Sequence, residues 1–103
     1  MIFEIPGSNR ERLPAVLMPE EVLELMLKGD ERCRHKINDE IVKIHADKEG
    51  DVHLFGDKGT IIGSIWKEKP DMTPWGLEHE CYLVEWKRSK MFTLVVGNKI
   101  KAL

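Results

Sequence analysis

Four side chains in this 103-residue sequence could bind a metal ion: Cys33, His35, His79 and Cys81. They form two mirrored pairs, Cys-x-His and His-x-Cys, and residues two apart in a strand point to the same face. If the two strands were neighbours, two thiolates and two imidazoles could converge tetrahedrally, an arrangement that suits zinc. The alternative is two core cysteines and two surface histidines, because zinc knuckles present ligands from turns. We expect this alternative, with no metal and no cofactor.

A second candidate group is basic. Strict alternation predicts a strand over residues 31–37 with its cations on one face, and a basic turn follows residue 86. The basic residues concerned are Arg32, Arg34, Lys36, Lys87, Arg88 and Lys90. They could contact phosphates, with Trp75 or Tyr82 as a stacking platform. They could equally be the charges that protect an edge strand from aggregation. The net charge of −2 favours that second interpretation, because phosphate contacts dominate affinity for nucleic acid.

A third candidate is the proline-bearing connection over residues 67–79, which we expect to be the longest loop. Binding residues concentrate on loops that a rigid scaffold positions, and large aromatic side chains often act as interface anchors. The residues predicted to contact a partner are Met72, Trp75 and Tyr82. The alternative is that Trp75 folds back and plugs one end of the sheet.

Catalysis has little support in the sequence. Ser8, Ser64 and Ser89 lack the glycine context of a nucleophile elbow, and no nucleophile–base pair is assembled. We therefore predict that the protein is not an enzyme.

One helix is predicted at about residues 19–28. Pro19 suits the first helical position, Gly29 suits a left-handed end, and apolar residues recur at helical spacing from Val22. A helix this short must pack on the sheet or on a partner to be stable.

The remaining elements are expected to be strands, arranged around a central pair over residues 59–66 and 81–86. In the second of these, Tyr82, Val84 and Trp86 share an apolar face, whereas the opposite face ends in charge at Glu85. Gly63 predicts a bulge. Further strands are predicted over residues 40–46, with Val42 and Ile44 inward, and over 52–55, 91–96 and 99–103. Residues 2–5 are predicted to form a short edge strand.

Two segments carry a family resemblance: DKGTIIG at residues 57–63 and YLVEW at residues 82–86. They resemble the turn-plus-strand and paired strand of SH3-like small β-barrels of the KOW and Tudor type. The resemblance covers residues 37–103 and implies a fold; it carries no catalytic residue. We expect an α+β, mainly antiparallel β fold: a small SH3-like barrel or strongly curled sheet with one N-terminal helix.

Length and composition predict one domain over residues 1–103, with an N-terminal strand and helix arm at 1–36 and the barrel at 37–103. No apolar run approaches the roughly 18 residues that span a bilayer, and the N-terminus does not match a signal peptide, so we expect a cytoplasmic protein without a membrane partner. The main hypothesis is a non-enzymatic module that binds protein, or a second copy of itself, through the 67–79 loop and sheet edges. A nucleic-acid-associated barrel is the first alternative, and a small metal protein or enzyme is the second. Domains of this kind are common on phages and mobile elements.

Overall fold

The computed structural model describes residues 20–45, 54–73 and 76–103, with residues 71–73 and 76 described by their backbone. Within these ranges the elements are one helix, five strands and one 3-10 segment. They are α1 (Glu20–Lys28), β1 (Glu40–Lys43), β2 (Lys58–Thr73), β3 (Gly76–Trp86), β4 (Phe92–Val96), the 3-10 turn Gly97–Lys99, and β5 (Ile100–Ala102). The predicted strand at residues 2–5 lies outside the described residues.

The five strands form one antiparallel sheet in the order β4-β3-β2-β1-β5. Strands β4 and β5 are therefore opposite edges, although only Gly97–Lys99 separates them in the chain. The four Cα–Cα steps from Val96 to Ile100 span at most about 14 Å. The outer strands of a flat five-stranded sheet would lie about 19 Å apart. The sheet must therefore curl strongly while it stays open, and the α+β, mainly antiparallel β fold class is confirmed.

Helix α1 has acidic residues in its first turn and Lys28 in its last, which complements the helix dipole. It ends at Gly29, whose φ of +83° is the left-handed conformation expected there. The prediction of a helix at about 19–28 is confirmed. Leu23 and Met26 are buried against the sheet. Within the described ranges, no helix is long and apolar enough to cross a membrane.

Both faces of β3 are buried between Cys81 and Val84. On the first face, Tyr82, Val84 and Trp86 pack in a cluster with side chains from the other strands and from the loop after α1. On the second face, Leu83 packs under α1 in a separate cluster, and Cys81 lies in that cluster too. The sequence predicted that this second face ends in charge at Glu85. It did not predict that α1 packs on the face and covers Leu83 and Cys81.

A bulge interrupts the β2–β3 ladder between Ile61 and Gly63, as the glycine predicted. Gly63 lies directly beneath the helix. A Cβ atom at this position would lie 3.1 Å from the Met26 Cβ atom and 3.2 Å from the Met26 carbonyl oxygen. The missing side chain therefore lets the helix approach the sheet closely.

Three sequence predictions of local structure are wrong. Residues 31–37 are turns and bends, not a strand. Strand β1 has the opposite orientation to the one expected, because Ile41 and Lys43 are buried whereas Ile44 is 39% exposed. Leu54 and Phe55 belong to a turn and not to a strand.

The prediction that residues 67–79 form a loop is also wrong, because most of these residues belong to the strands of a long β2–β3 hairpin. Beyond Trp66, which is paired with Glu80, the ladder resumes at Asp71 paired with Glu78 and continues to Thr73 paired with Gly76. Four residues of β2, 67–70, therefore lie opposite the single residue His79. The hairpin end is attached to the sheet through this wide irregularity.

Candidate functional site

The four candidate metal ligands do not converge. Cys33 and Cys81 belong to different core clusters. His35 packs edge-on against Tyr82, whereas the His79 ring stacks on Trp66 at 4.7 Å. Across the described residues, no three His, Cys, Asp or Glu side chains form a group that could hold a metal. Burial raises the pKa of Cys33 to about 11, so its thiol stays protonated at neutral pH.

Polar side chains around a buried carboxylate form a second assembly, which we call the Glu80 clamp: Arg34, Glu78, Glu80 and Tyr82. Three of the four are buried, whereas the Arg34 side chain is 58% exposed and reaches Glu80 from the surface. The Tyr82 hydroxyl donates to Oε1 of Glu80 at 2.6 Å, and Arg34 Nε donates to the same oxygen at 2.9 Å. Nη2 of Arg34 lies 3.8 Å from Oε2 of Glu78. Glu80 is 5% exposed. The clamp ties the loop after α1 to β3.

Tyr82 is a hydrogen-bond donor in this clamp and not a base. Burial raises the pKa of Tyr82 well above its usual range, and the hydrogen bond to Glu80 raises it further. Its hydroxyl oxygen also accepts the backbone N–H of His35 at 3.1 Å. The clamp therefore holds two backbone segments together without an activated proton.

The imidazole of His35 is buried beside the clamp. Its Nε2 atom has no hydrogen-bond partner among the described residues. Burial lowers the pKa of His35, and the positive charge of Arg34 lowers it further. The ring is therefore held neutral in the interior.

Asp30 anchors the start of the same loop to β2. Its backbone N–H donates to the Ser64 hydroxyl at 2.9 Å, and its carboxylate accepts the Trp66 N–H at 3.0 Å. Arg32 donates to both carboxylate oxygens, at 3.0 and 2.9 Å. The Arg32 guanidinium holds the pKa of Asp30 well below its usual range. An open cavity of about 330 Å³ lies between this anchor and the helix end, and Ile37 contributes to its lining.

Most of the predicted phosphate contacts are already engaged within the chain. Arg32 and Arg34 form ion pairs with Asp30 and Glu80. Lys36 Nζ donates to the carbonyl oxygens of residues 31 and 33. Lys87 pairs with Glu40 at 2.7 Å, Arg88 pairs with Asp57 at 2.9 Å, and Lys90 is exposed. A phosphate would have to displace carboxylates from four of these six cations.

The structure bears differently on the three residues that are predicted to contact a partner. Tyr82 is fully buried, so the prediction that it contacts a partner is wrong. The Met72 side chain and all of Trp75 lie outside what the structure describes, so those two stay predictions. On the same hairpin end, Leu77 is 60% exposed.

The structure shows a surface that the sequence interpretation missed. Residues 54–57 form a tight turn, which we call the Phe55 turn, and on it Phe55 is 67% exposed and Leu54 is 41% exposed. The Asp57 N–H donates to the Leu54 carbonyl at 2.9 Å, and Gly56 has φ of +86°, a conformation that favours glycine in this turn position. Ile44 is exposed nearby, one residue after the Lys43 carbonyl that accepts the Gly56 N–H at 2.8 Å.

The Phe55 turn is braced by the side chain of Asp57. One of its carboxylate oxygens accepts the Leu54 N–H at 2.8 Å. Both oxygens also accept from Arg88 at 2.9 to 3.1 Å. This fixes the turn to the turn between β3 and β4. The sequence signal was present, because a glycine followed by an aspartate after two apolar residues is typical of a turn.

No family model, no curated protein and no solved structure matches the chain. The interpretation of function therefore depends on the geometry described above.

Proposed function

We propose that the protein is a cytoplasmic, non-enzymatic interaction module that binds a protein partner through the Phe55 turn. One observation carries this proposal: a phenylalanine side chain, 67% exposed, is displayed on a turn that the chain braces from two sides. Large aromatic side chains on a rigid support dominate binding energy in protein interfaces, because little conformational freedom is lost when they dock.

The neighbourhood of Phe55 supports an apolar contact with a polar rim. Leu54 and Ile44 add exposed apolar surface, and the Arg88–Asp57 ion pair lies at the base of the turn. An apolar centre with charged residues at its edge is the usual composition of a protein interface. The hairpin end with Leu77, and with the predicted Met72 and Trp75, remains a second surface for the same function.

The SH3-like barrel remains part of this proposal, supported by the strong curl of the antiparallel sheet. The nucleic-acid alternative has less support, because the arginines of the predicted basic strand are paired with carboxylates and the strand itself is a loop.

Photocrosslinking tests the proposal. A benzophenone amino acid replaces Phe55 in the full chain, expressed in cells that naturally contain the protein, and a matched variant carries the same group at Leu103, which is 63% exposed. We expect light-dependent protein adducts from position 55 and few from position 103. Excess unlabelled wild-type protein should suppress the adducts, whereas excess Phe55→Ser protein should not. Equal labelling at both positions, or equal competition by Phe55→Ser, would contradict the proposal.

A further inference from the structure

The two edges of the sheet differ in how they are protected. Strand β4, Phe-Thr-Leu-Val-Val, has no charged residue, no proline and no glycine, and its five residues pair with β3 in continuous register. Strand β5 has three residues, and one of them is Lys101. Protein edges usually carry charge, proline or a bulge, because an unprotected strand accepts another strand. In the part of the chain that the structure describes, no strand pairs with the outer side of β4.

We propose that two copies of this chain associate by antiparallel pairing of β4 with the partner's β4, across a two-fold axis at Leu94. The inference rests on the proposed function, since it names a second copy of the chain as one protein partner of the module. It uses a different surface from the Phe55 turn.

The pairing follows from the symmetry of a five-residue strand. A two-fold axis that makes two edge strands antiparallel is perpendicular to the sheet, so paired residues share a face. With the axis at its centre, Leu94 lies opposite the partner's Leu94. Phe92 then lies opposite the partner's Val96, and Thr93 lies opposite the partner's Val95. Every residue of β4 is paired in this register, and both α1 helices lie on the same side of a ten-stranded sheet.

The side chains of β4 fit a second copy. A two-fold axis brings each central residue against itself, so a central charge would repel its own copy. Leu94 is 41% exposed and uncharged, so its contact with the partner's Leu94 buries apolar surface. The hydroxyl oxygen of Thr93 accepts the Trp86 Nε1–H at 2.7 Å, so this indole N–H keeps its partner when the edge is covered. The same operation on β5 would bring Lys101 against the partner's Lys101.

Charge complementation at Leu94 tests the pairing. Wild-type protein, Leu94→Lys, Leu94→Glu and a one-to-one mixture of these two variants are compared by sedimentation velocity from about 1 μM to about 1 mM. We expect wild type to reach twice the chain mass of 11.9 kDa. Each variant should dissociate about 100-fold more readily, because like charges then face each other. The mixture should recover the dimer, since a lysine then faces a glutamate.

Two controls separate this inference from the proposed function. Leu77→Lys adds the same charge at another exposed leucine, and Phe55→Ser removes the turn anchor; both should leave the dimer intact. If the wild-type chain stays monomeric at about 1 mM, the inference is overturned. The same result is expected if another segment of the same chain, such as the strand predicted at residues 2–5, occupies the edge of β4. The inference is also overturned if the mixture of charged variants stays monomeric. Neither result would contradict the proposed function, because crosslinking through Phe55 tests that function by a separate measurement. Thermal unfolding of each variant confirms that a monomer is folded, and an intermolecular disulfide in Leu94→Cys reports the same self-contact independently.

Discussion

The loop after α1 and the Phe55 turn both connect the sheet to other parts of the chain, but they differ in which of their side chains bind the rest of the protein. In the loop over residues 30–39, charged side chains bind other strands of the same chain: Asp30, 16% exposed, accepts from β2, and the more exposed Arg34 donates to the buried Glu80 on β3. In the Phe55 turn, polar groups hold the backbone and the apolar side chain of Phe55 faces solvent.

This contrast is the reason why we propose Phe55, and not the charged residues of the loop, for binding. The charges of the 30–39 loop are used within the protein, because they satisfy buried hydrogen-bonding groups that would otherwise destabilise the fold. The exposed phenylalanine satisfies no internal group. Asp30 and Arg34 therefore contribute to the fold, and Phe55 is the residue that we propose for binding.

The largest expected effect is the loss of the Glu80 clamp. Glu80→Ala removes the acceptor of the Tyr82 hydroxyl and of Arg34, so we expect the free energy of unfolding to fall by about 3 kcal/mol. Glu80→Gln keeps an acceptor for Tyr82 and should lose less. Glu68→Ala serves as the control, because that carboxylate also pairs with an arginine but is 86% exposed, and it should change stability by about 0.5 kcal/mol or less. Urea unfolding measures all three; similar losses for Glu80→Ala and Glu68→Ala would remove the contrast.

A smaller effect concerns pH. Burial lowers the pKa of His35 in the folded protein, so the unfolded chain binds a proton more readily. Stability should therefore fall as pH decreases below about 6.5, with a slope of at most about 1.4 kcal/mol per pH unit from this residue. Asp30, whose pKa is also lowered, contributes stability that is lost only at more acidic pH, below its usual value of 3.8.

Thermal unfolding of wild type and His35→Leu between pH 7 and 5 measures the contribution of His35. The variant should lose less stability over that interval than wild type. Identical pH profiles for the two proteins would show that His35 is not held neutral.

The smallest effect on stability is expected at Phe55. Phe55→Ala removes an exposed side chain that fills no space in the core, so the free energy of unfolding should change by about 0.5 kcal/mol or less. Urea unfolding provides the measurement. A loss as large as that of Glu80→Ala would mean that Phe55 is structural, and the contrast between the two regions would fail.

The parts of the fold with long periodic patterns could be predicted from the sequence. The helix was predicted within one residue, because Pro19 and Gly29 mark its ends. The alternation of Tyr82, Val84 and Trp86 also predicted the buried face of β3. These signals are local, so they do not depend on contacts with the rest of the chain.

The 30–39 loop could not be predicted because long-range contacts determine it. Its burial alternates as expected, with Cys33 and His35 buried, and such alternation is typical of a strand. The hydrogen bonds that fix it join Asp30 to Ser64 and Arg34 to Glu80, 34 and 46 residues apart. The same limit applies to β1, where Lys43 is buried 6.0 Å from the Trp86 ring centroid while Ile44 faces outward.

The irregularity in the β2–β3 hairpin separates its end from the rest of the sheet. Residues 67–70 lie opposite His79 alone, and they belong neither to the ladder from Gly59 to Trp66 nor to the one from Asp71 to Thr73. We expect an insertion or deletion within residues 67–70 to change the direction of the hairpin end more than the packing of the two core clusters. This segment is therefore the part of the hairpin in which a change of length would disturb the fewest ladder pairs.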